Sequence, residues 1–168
     1  LPVGSLISAA ARSKNDTPRL LVPALDARME EMYLACFASH PGGLIQTIQT
    51  PVLLRAADGL EFVRAREEHW KRAAGLQVEV TLCGQGWSLS DIDEINQSAW
   101  KWIDHDGGPD VETVARLGLQ MLHRGEGRLP EHASPFYLRD KVAFNTAERE
   151  SGQGGNPRAG VSNAGILL

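Results

Sequence analysis

The sequence predicts a mixed α/β (α+β) domain. Three observations point there. Three apolar runs of strand length come first in the chain, helical and strand-like patterns then alternate, and the composition is that of a globular core. With 168 residues, 42% hydrophobic and 23% charged, the chain is long enough to bury one core without disulfides or metal.

The elements follow in order. "SLISAAARSK" (5–14) reads as a short helix capped by Ser5, with Leu6, Ala9 and Ala10 on one face, and "NDTP" breaks it. "RLLVPALDA" (19–27) is a strand. Pro23 removes a ladder donor from it, so an edge, bulged or otherwise irregular strand is expected. "MYLACFAS" (32–39) and "LIQTIQTPVLL" (44–54) complete an antiparallel meander that begins with a hairpin around "RMEE", and "HPGG" (40–43) is turn chemistry. Asp58 with Glu61 three residues on is a capping-box pattern opening a helix over 59–74. Leu60, Val63, Trp70 and Ala74 mark its buried face, and Gly75 ends it.

"LQVEVTLCG" (76–84) alternates and then turns apolar, as a strand entering a core does. "SLSDIDEINQSAW" is a weaker helical segment and "DHDGGPD" a loop. Asp110 opens the clearest helix, with Val111, Val114, Ala115, Gly118, Met121 and Leu122 in one stripe, Arg124 late and Gly125 after it. "FYLRD" (136–140) is a short final strand. From Ser151 the chain is rich in Gly, Ser, Asn and Pro, which predicts a disordered tail.

Composition narrows the function classes. A net charge of −4 disfavours a free-standing nucleic-acid binder. No apolar run approaches the roughly 20 residues of a membrane helix, and no secretory leader pattern is visible. Cys36 and Cys83 sit on apolar runs far apart, the pattern of buried thiols in a reducing compartment. The five histidines (His40, His69, His105, His123 and His132) include no pair spaced to meet on one helix face, so no metal site is expected. Gly84-x-Gly86 in "CGQGW" follows a strand, but neither a third glycine nor a Lys-Ser/Thr pair completes a phosphate loop. A tight turn is the expectation there. The carboxylates of "DIDE" (91–94) and "DHD" (104–106) lie in polar segments and read as solvated caps and loop charges.

Two places stand out because their polarity looks unforced. Asp26 and Arg28 stand at the end of a buried strand, and Tyr137, Arg139, Asp140 and Lys141 alternate along a short one. An Asp-assisted turn and a solvated strand edge account for them. A polar binding rim does so as well, since Tyr and Arg are enriched in interface hot spots.

These places carry a resemblance. "DARMEEMYLACF" resembles the "DARMGEVYWAxY" segment of the TsaB (YeaZ-like) family, the bacterial tRNA threonylcarbamoyladenosine biosynthesis proteins, and "SPFYLRDKVAFNTAER" resembles that family's "PxYLRDKVAxTTAER". "CGQGW" is similar to its "GxGW" turn, "PDVETVARLGLQMLHRGEGRLPEHASP" to its final helix and connector, and "LPVGSLISAAA" to its "LPVxGVSSLxxxA". The likeness runs in order from residue 1 to about 150.

The resemblance implies a lobe of actin-like (RNase H-like) fold, a mixed sheet with flanking helices. The family's N-terminal lobe carries an "AIDTS"-like strand and a "GPGSFTGxRIG" segment, and neither occurs here. The expectation is therefore a C-terminal lobe over residues 1–149 and a Gly-rich tail over 150–168. The resemblance further implies a cytoplasmic, non-catalytic subunit without cofactor. It would support the transferase TsaD and the ATPase TsaE in forming N6-threonylcarbamoyladenosine at tRNA position 37, self-associate, and meet tRNA only through that complex. The alternative it leaves is an M22/glycoprotease-like hydrolase or a nucleotide-binding enzyme of the same fold. Asp26, Arg28, Tyr137 and Arg139 are the candidate partner-binding or lobe-orienting residues. Glu30 departs from the family's usual Gly, which removes the residue best suited to a positive-φ turn after Arg28.

Overall fold

The computed structural model describes residues 17–40, 45–75, 78–103, 111–132 and 138. The expected helix at 5–14, the "DHDGGPD" loop from Asp104 on, the strand at 136–140 apart from Leu138, and the tail lie outside the described residues. Within them, β1 (Arg19–Arg28), β2 (Glu31–Ser39) and β3 (Ile45–Arg55) form the expected antiparallel meander. Helix α1 (Gly59–Ala74) then carries the chain to β4 (Val80–Cys83), which pairs in parallel with β1. A short helix α2 (Ile92–Gln97) leads to β5 (Lys101–Ile103), parallel to β4. The order across the sheet is β3-β2-β1-β4-β5. Helix α3 (Val111–His123) follows.

This order decides among the alternatives expected for β1. The strand containing Pro23 is the middle one, not an edge. Proline stands where the ladder with β4 ends, at Pro23↔Cys83, and beyond that point the Gly84–Trp87 turn packs against β1 in place of strand pairing. The irregularity that Pro23 led one to expect lies further on, between Asp26 and Arg28. The strand β5 lies just past the segment that reads as weakly helical, in residues to which the sequence assigns no element. Three residues are too few for periodicity to reveal, and pairing with β4 decides their conformation.

Both faces of β1 and β2 are covered, so their residues are apolar almost throughout. On one face Leu20, Val22, Met32, Leu34 and Cys36 meet Leu60, Val63 and Trp70 of α1, together with Trp87. On the other, Leu21, Leu25, Ala35, Phe37 and Cys83 form a smaller cluster. Cys36 and Cys83 are buried, and burial, reinforced by Cys83, pushes the Cys36 thiol far up.

The helix α1 stands as expected, with Ala74 partly buried against the core and Gly75 at a φ of 65° closing it. Its start differs from a capping box. The Asp58 side chain accepts no bond from the helix N-terminus and instead takes the Arg55 guanidinium at 2.8 and 2.9 Å. An arginine three residues upstream competes successfully for the same carboxylate. By contrast, Asp91 does cap α2, accepting from the amides of Asp93 and Glu94 at 2.9 and 3.1 Å. Glu94 in turn binds Arg64 of α1 at 2.7 Å, so Asp91 and Glu94 of "DIDE" are used in capping and in pairing.

The largest departure concerns α3. The helix forms where expected, and Gly125 follows it at a φ of 73°. Its apolar stripe, expected to be buried, is exposed: Val111, Val114, Met121 and Leu122 face solvent, as does Leu119. Thr113 is its buried residue.

Candidate partner surface

The surface is the β1–β2 hairpin tip, and its geometry starts with a register shift. Pairs run Leu25↔Tyr33 and Asp26↔Met32, then Arg28↔Glu31, so Ala27 is the extra residue of a bulge. Met29 and Glu30 remain as a two-residue turn. Arg28, Met29 and Glu30 all have positive φ, at 66°, 58° and 59°. Positive φ at both central residues is what a type I′ hairpin requires, and Asn-Gly normally supplies it. Here the pair is Met-Glu. The substitution of Glu for the family's Gly at position 30 therefore has not removed the positive-φ turn. The hairpin's twist imposes it on a side chain that resists it, at about 1–2 kcal/mol per residue.

Two contacts hold this backbone. The Asp26 carboxylate accepts from the Arg28 amide through Oδ1 at 2.6 Å, and its Oδ2 lies 3.4 Å from the Arg28 guanidinium. The Glu30 carbonyl accepts from the Ala56 amide at 2.8 Å, tying the tip to the turn after β3. Asp26 and Arg28 are thus brought together, as an Asp-assisted turn. The Arg28 side chain is 86% exposed, so its ion pair contributes at most about 1 kcal/mol. Met29 is 51% exposed. Glu31, next in sequence to the exposed Glu30, is buried at 1%. Neither Met29 nor Glu31 is singled out by the sequence. The only signal for them is the turn itself, since the residue after an I′ pair re-enters the sheet. Tyr137 and Arg139 lie outside the described residues.

The "CGQGW" segment supports the other side of β1 and is a tight turn, as expected. Gly84 has a φ of 92°, and a 3-10 turn over Gln85–Leu89 follows. A Cβ at Gly86 would lie 2.7 Å from the backbone of Ala24 and Leu25, so glycine is required there by close approach to β1. Trp87 donates its indole N–H to the Val22 carbonyl at 2.8 Å. The motif thus locks β1 from the β4 side. Among the described residues, no group of three His, Cys, Asp or Glu side chains is placed to hold a metal ion. No described helix is long and apolar enough to cross a membrane.

No family model matches the chain. It is 29% identical to the tRNA threonylcarbamoyladenosine biosynthesis protein TsaB of Escherichia coli K12 over 154 residues, covering 84% of this chain and 58% of that protein. The chain is similar in sequence to TsaB over that span. Solved structures share its fold. One is YeaZ from Pseudomonas aeruginosa, with a TM-score of 0.54 at 22% identity, covering 79% of this chain and 57% of that one. Another is a Pseudomonas aeruginosa protein described as similar to peptidase YEAZ, with a TM-score of 0.50 at 22% identity, covering 82% and 56%. The five-stranded mixed sheet with flanking helices is therefore the actin-like, RNase H-like fold that the motifs implied. The chain spans a little over half the length of these relatives.

Proposed function

We propose that this chain is the C-terminal lobe, over residues 1–149, of a TsaB-like protein that takes part in threonylcarbamoyladenosine biosynthesis as a non-catalytic, cytoplasmic scaffold. In this reading it supports the transferase TsaD and the ATPase TsaE, and tRNA is met through that complex. The observation that carries the proposal is the match to TsaB across most of the chain, on a fold shared with YeaZ. The hairpin tip fits such a role, since Arg28 and its neighbours present a held, exposed surface. Asp26, Arg28, Tyr137 and Arg139 are the residues assigned to partner binding or lobe orientation.

The test is a threonylcarbamoylation assay on a tRNA reading an ANN codon, with TsaD and TsaE from the same source, with and without the chain. The scaffold reading expects modified tRNA to rise when the chain is added and none to form with the chain alone. Unchanged yield on addition, or an EDTA-sensitive hydrolysis of ATP or casein by the chain itself, would overturn it.

A further inference from the structure

Helix α1 divides its charged side chains between two sides. On one side Arg64 binds Glu94 at 2.7 Å and Glu61 at 3.5 Å, while Lys71 binds Glu67 at 2.7 Å and Glu68 at 3.2 Å. Every carboxylate of the helix is therefore engaged. On the other side Arg66, His69 and Arg72 follow at three-residue steps, and none has a carboxylate partner among the described residues. Ala65 and Ala73 share this side and are exposed, and their methyl groups leave room for an elongated ligand to come close to the helix. The Arg66 guanidinium is stacked on the Phe62 ring, 3.8 Å from its centroid, which orients its plane and leaves its N–H edge open.

We propose that the Arg66–His69–Arg72 side of α1 is a contact for the phosphate backbone of RNA. It rests on the reading of the chain as part of a tRNA-modifying complex and says where on this lobe the RNA passes. The three groups step along the helix by about 4.5 Å each, so their long side chains address successive points of an extended polyanion. Arginine presents paired N–H groups that match phosphate oxygens, and an imidazole N–H adds a further donor. An acidic protein surface fits less well, because interface hot spots need apolar anchors and none of the exposed large apolar side chains lies on α1. The net charge of −4 does not oppose the contact: the helix's own carboxylates are neutralised in pairs, and at 0.1 M salt more distant ones are screened beyond about 10 Å. So few phosphate contacts hold no tRNA on their own. They position one that the complex presents, without reading its sequence.

The experiment measures tRNA binding by the full chain assembled with TsaD and TsaE, using fluorescence anisotropy over a salt series. Melting and TsaD affinity of each variant are followed separately. Arg66→Ala and Arg72→Ala are each expected to weaken tRNA binding about three- to tenfold at low salt, with unchanged melting and TsaD affinity. Each should also reduce the slope of log affinity against log salt by about one. Arg124→Ala, whose guanidinium is taken by Glu126, should change neither. Arg72→Lys should keep most of the affinity, since a backbone contact asks for charge. If the complex binds tRNA and both alanine variants stay within about twofold of the wild type with the same slope, the RNA assignment is wrong while the scaffold reading stands. If the chain does not assemble with TsaD, the scaffold reading falls, and the patch is judged on the chain alone with a short single-stranded RNA at low salt. Binding that is lost in the Arg66→Ala, Arg72→Ala double variant then upholds the patch, and no binding overturns it. Weakened TsaD affinity with tRNA binding intact would assign the patch to a protein and overturn the choice of RNA.

Discussion

Helices α1 and α3 are built to similar local rules, with 16 and 13 residues, an acidic residue in the first turn, basic residues in the last, and a positive-φ glycine soon after. Each carries a clear apolar stripe. In α1 that stripe is buried, with Trp70 and Val63 enclosed by β1, β2 and β4. In α3 it is open, with Val111 and Leu122 largely in solvent. The difference lies in connectivity. The helix α1 joins β3 at one edge to β4 near the middle of the sheet, so its path must cross the sheet face and cover it. The helix α3 follows β5, the edge strand, and no later described strand draws it back. Periodicity reports that a helix has an apolar face; the topology decides what meets that face.

Substitutions can break or sharpen this contrast. The largest effect is expected from Trp70→Ala, which removes a fully buried indole from under α1 and should cost about 3–5 kcal/mol in denaturant unfolding. Gly86→Ala comes next. It forces a Cβ to within 2.7 Å of the β1 backbone, and the strand must shift, at about 1–3 kcal/mol or more in thermal unfolding. Glu30→Gly acts in the opposite direction. It relieves a side chain held at a φ of 59° and should raise stability by about 0.5–1 kcal/mol after glycine's entropic penalty.

A smaller effect concerns the tie between α1 and Trp100, just before β5. Burial tends to raise the Glu67 carboxyl, but hydrogen bonds from Lys71 and Trp100 outweigh it and hold the group below its ordinary range. Its stabilisation is therefore present above the usual carboxylate pKa of about 4.3 and is lost as the pH falls through its lowered folded value. In Glu67→Gln, the acid side of a stability–pH profile should be flatter than in the wild type. The smallest effect is expected on α3. Leu122→Ser should change stability by no more than about 0.5 kcal/mol, because the side chain is already in solvent. A loss as large as that of Trp70→Ala would remove the contrast altogether.

Much of the fold is legible in the sequence where the deciding physics is local. The hairpin, the three antiparallel strands, α1, the buried thiols and the tight turn after β4 are all marked by alternation, capping glycines or turn residues. What local reading misplaces is set by pairing partners. Pro23 suggests an edge, bulged or otherwise irregular strand; β1 is central because it pairs with both β2 and β4, and its bulge lies between Asp26 and Arg28. Lys101–Ile103 become a strand only because β4 runs alongside. Asp58 looks like a helix cap, but Arg55 takes its carboxylate. The candidate surface divides the same way. Asp26 and Arg28 stand out as polar residues at the end of a buried strand, while Met29 and the contrast between exposed Glu30 and buried Glu31 emerge only from the bulge between Asp26 and Arg28.

Hydrogen exchange of the full chain, resolved to α1 and α3, tests most directly the claim that the core is formed by the sheet and α1 and does not extend to α3. Amides of α1 over Val63–Trp70 are expected to exchange only through large-scale unfolding, and those of α3 over Ala115–Leu122 orders of magnitude faster. Equal protection of the two helices would contradict the account.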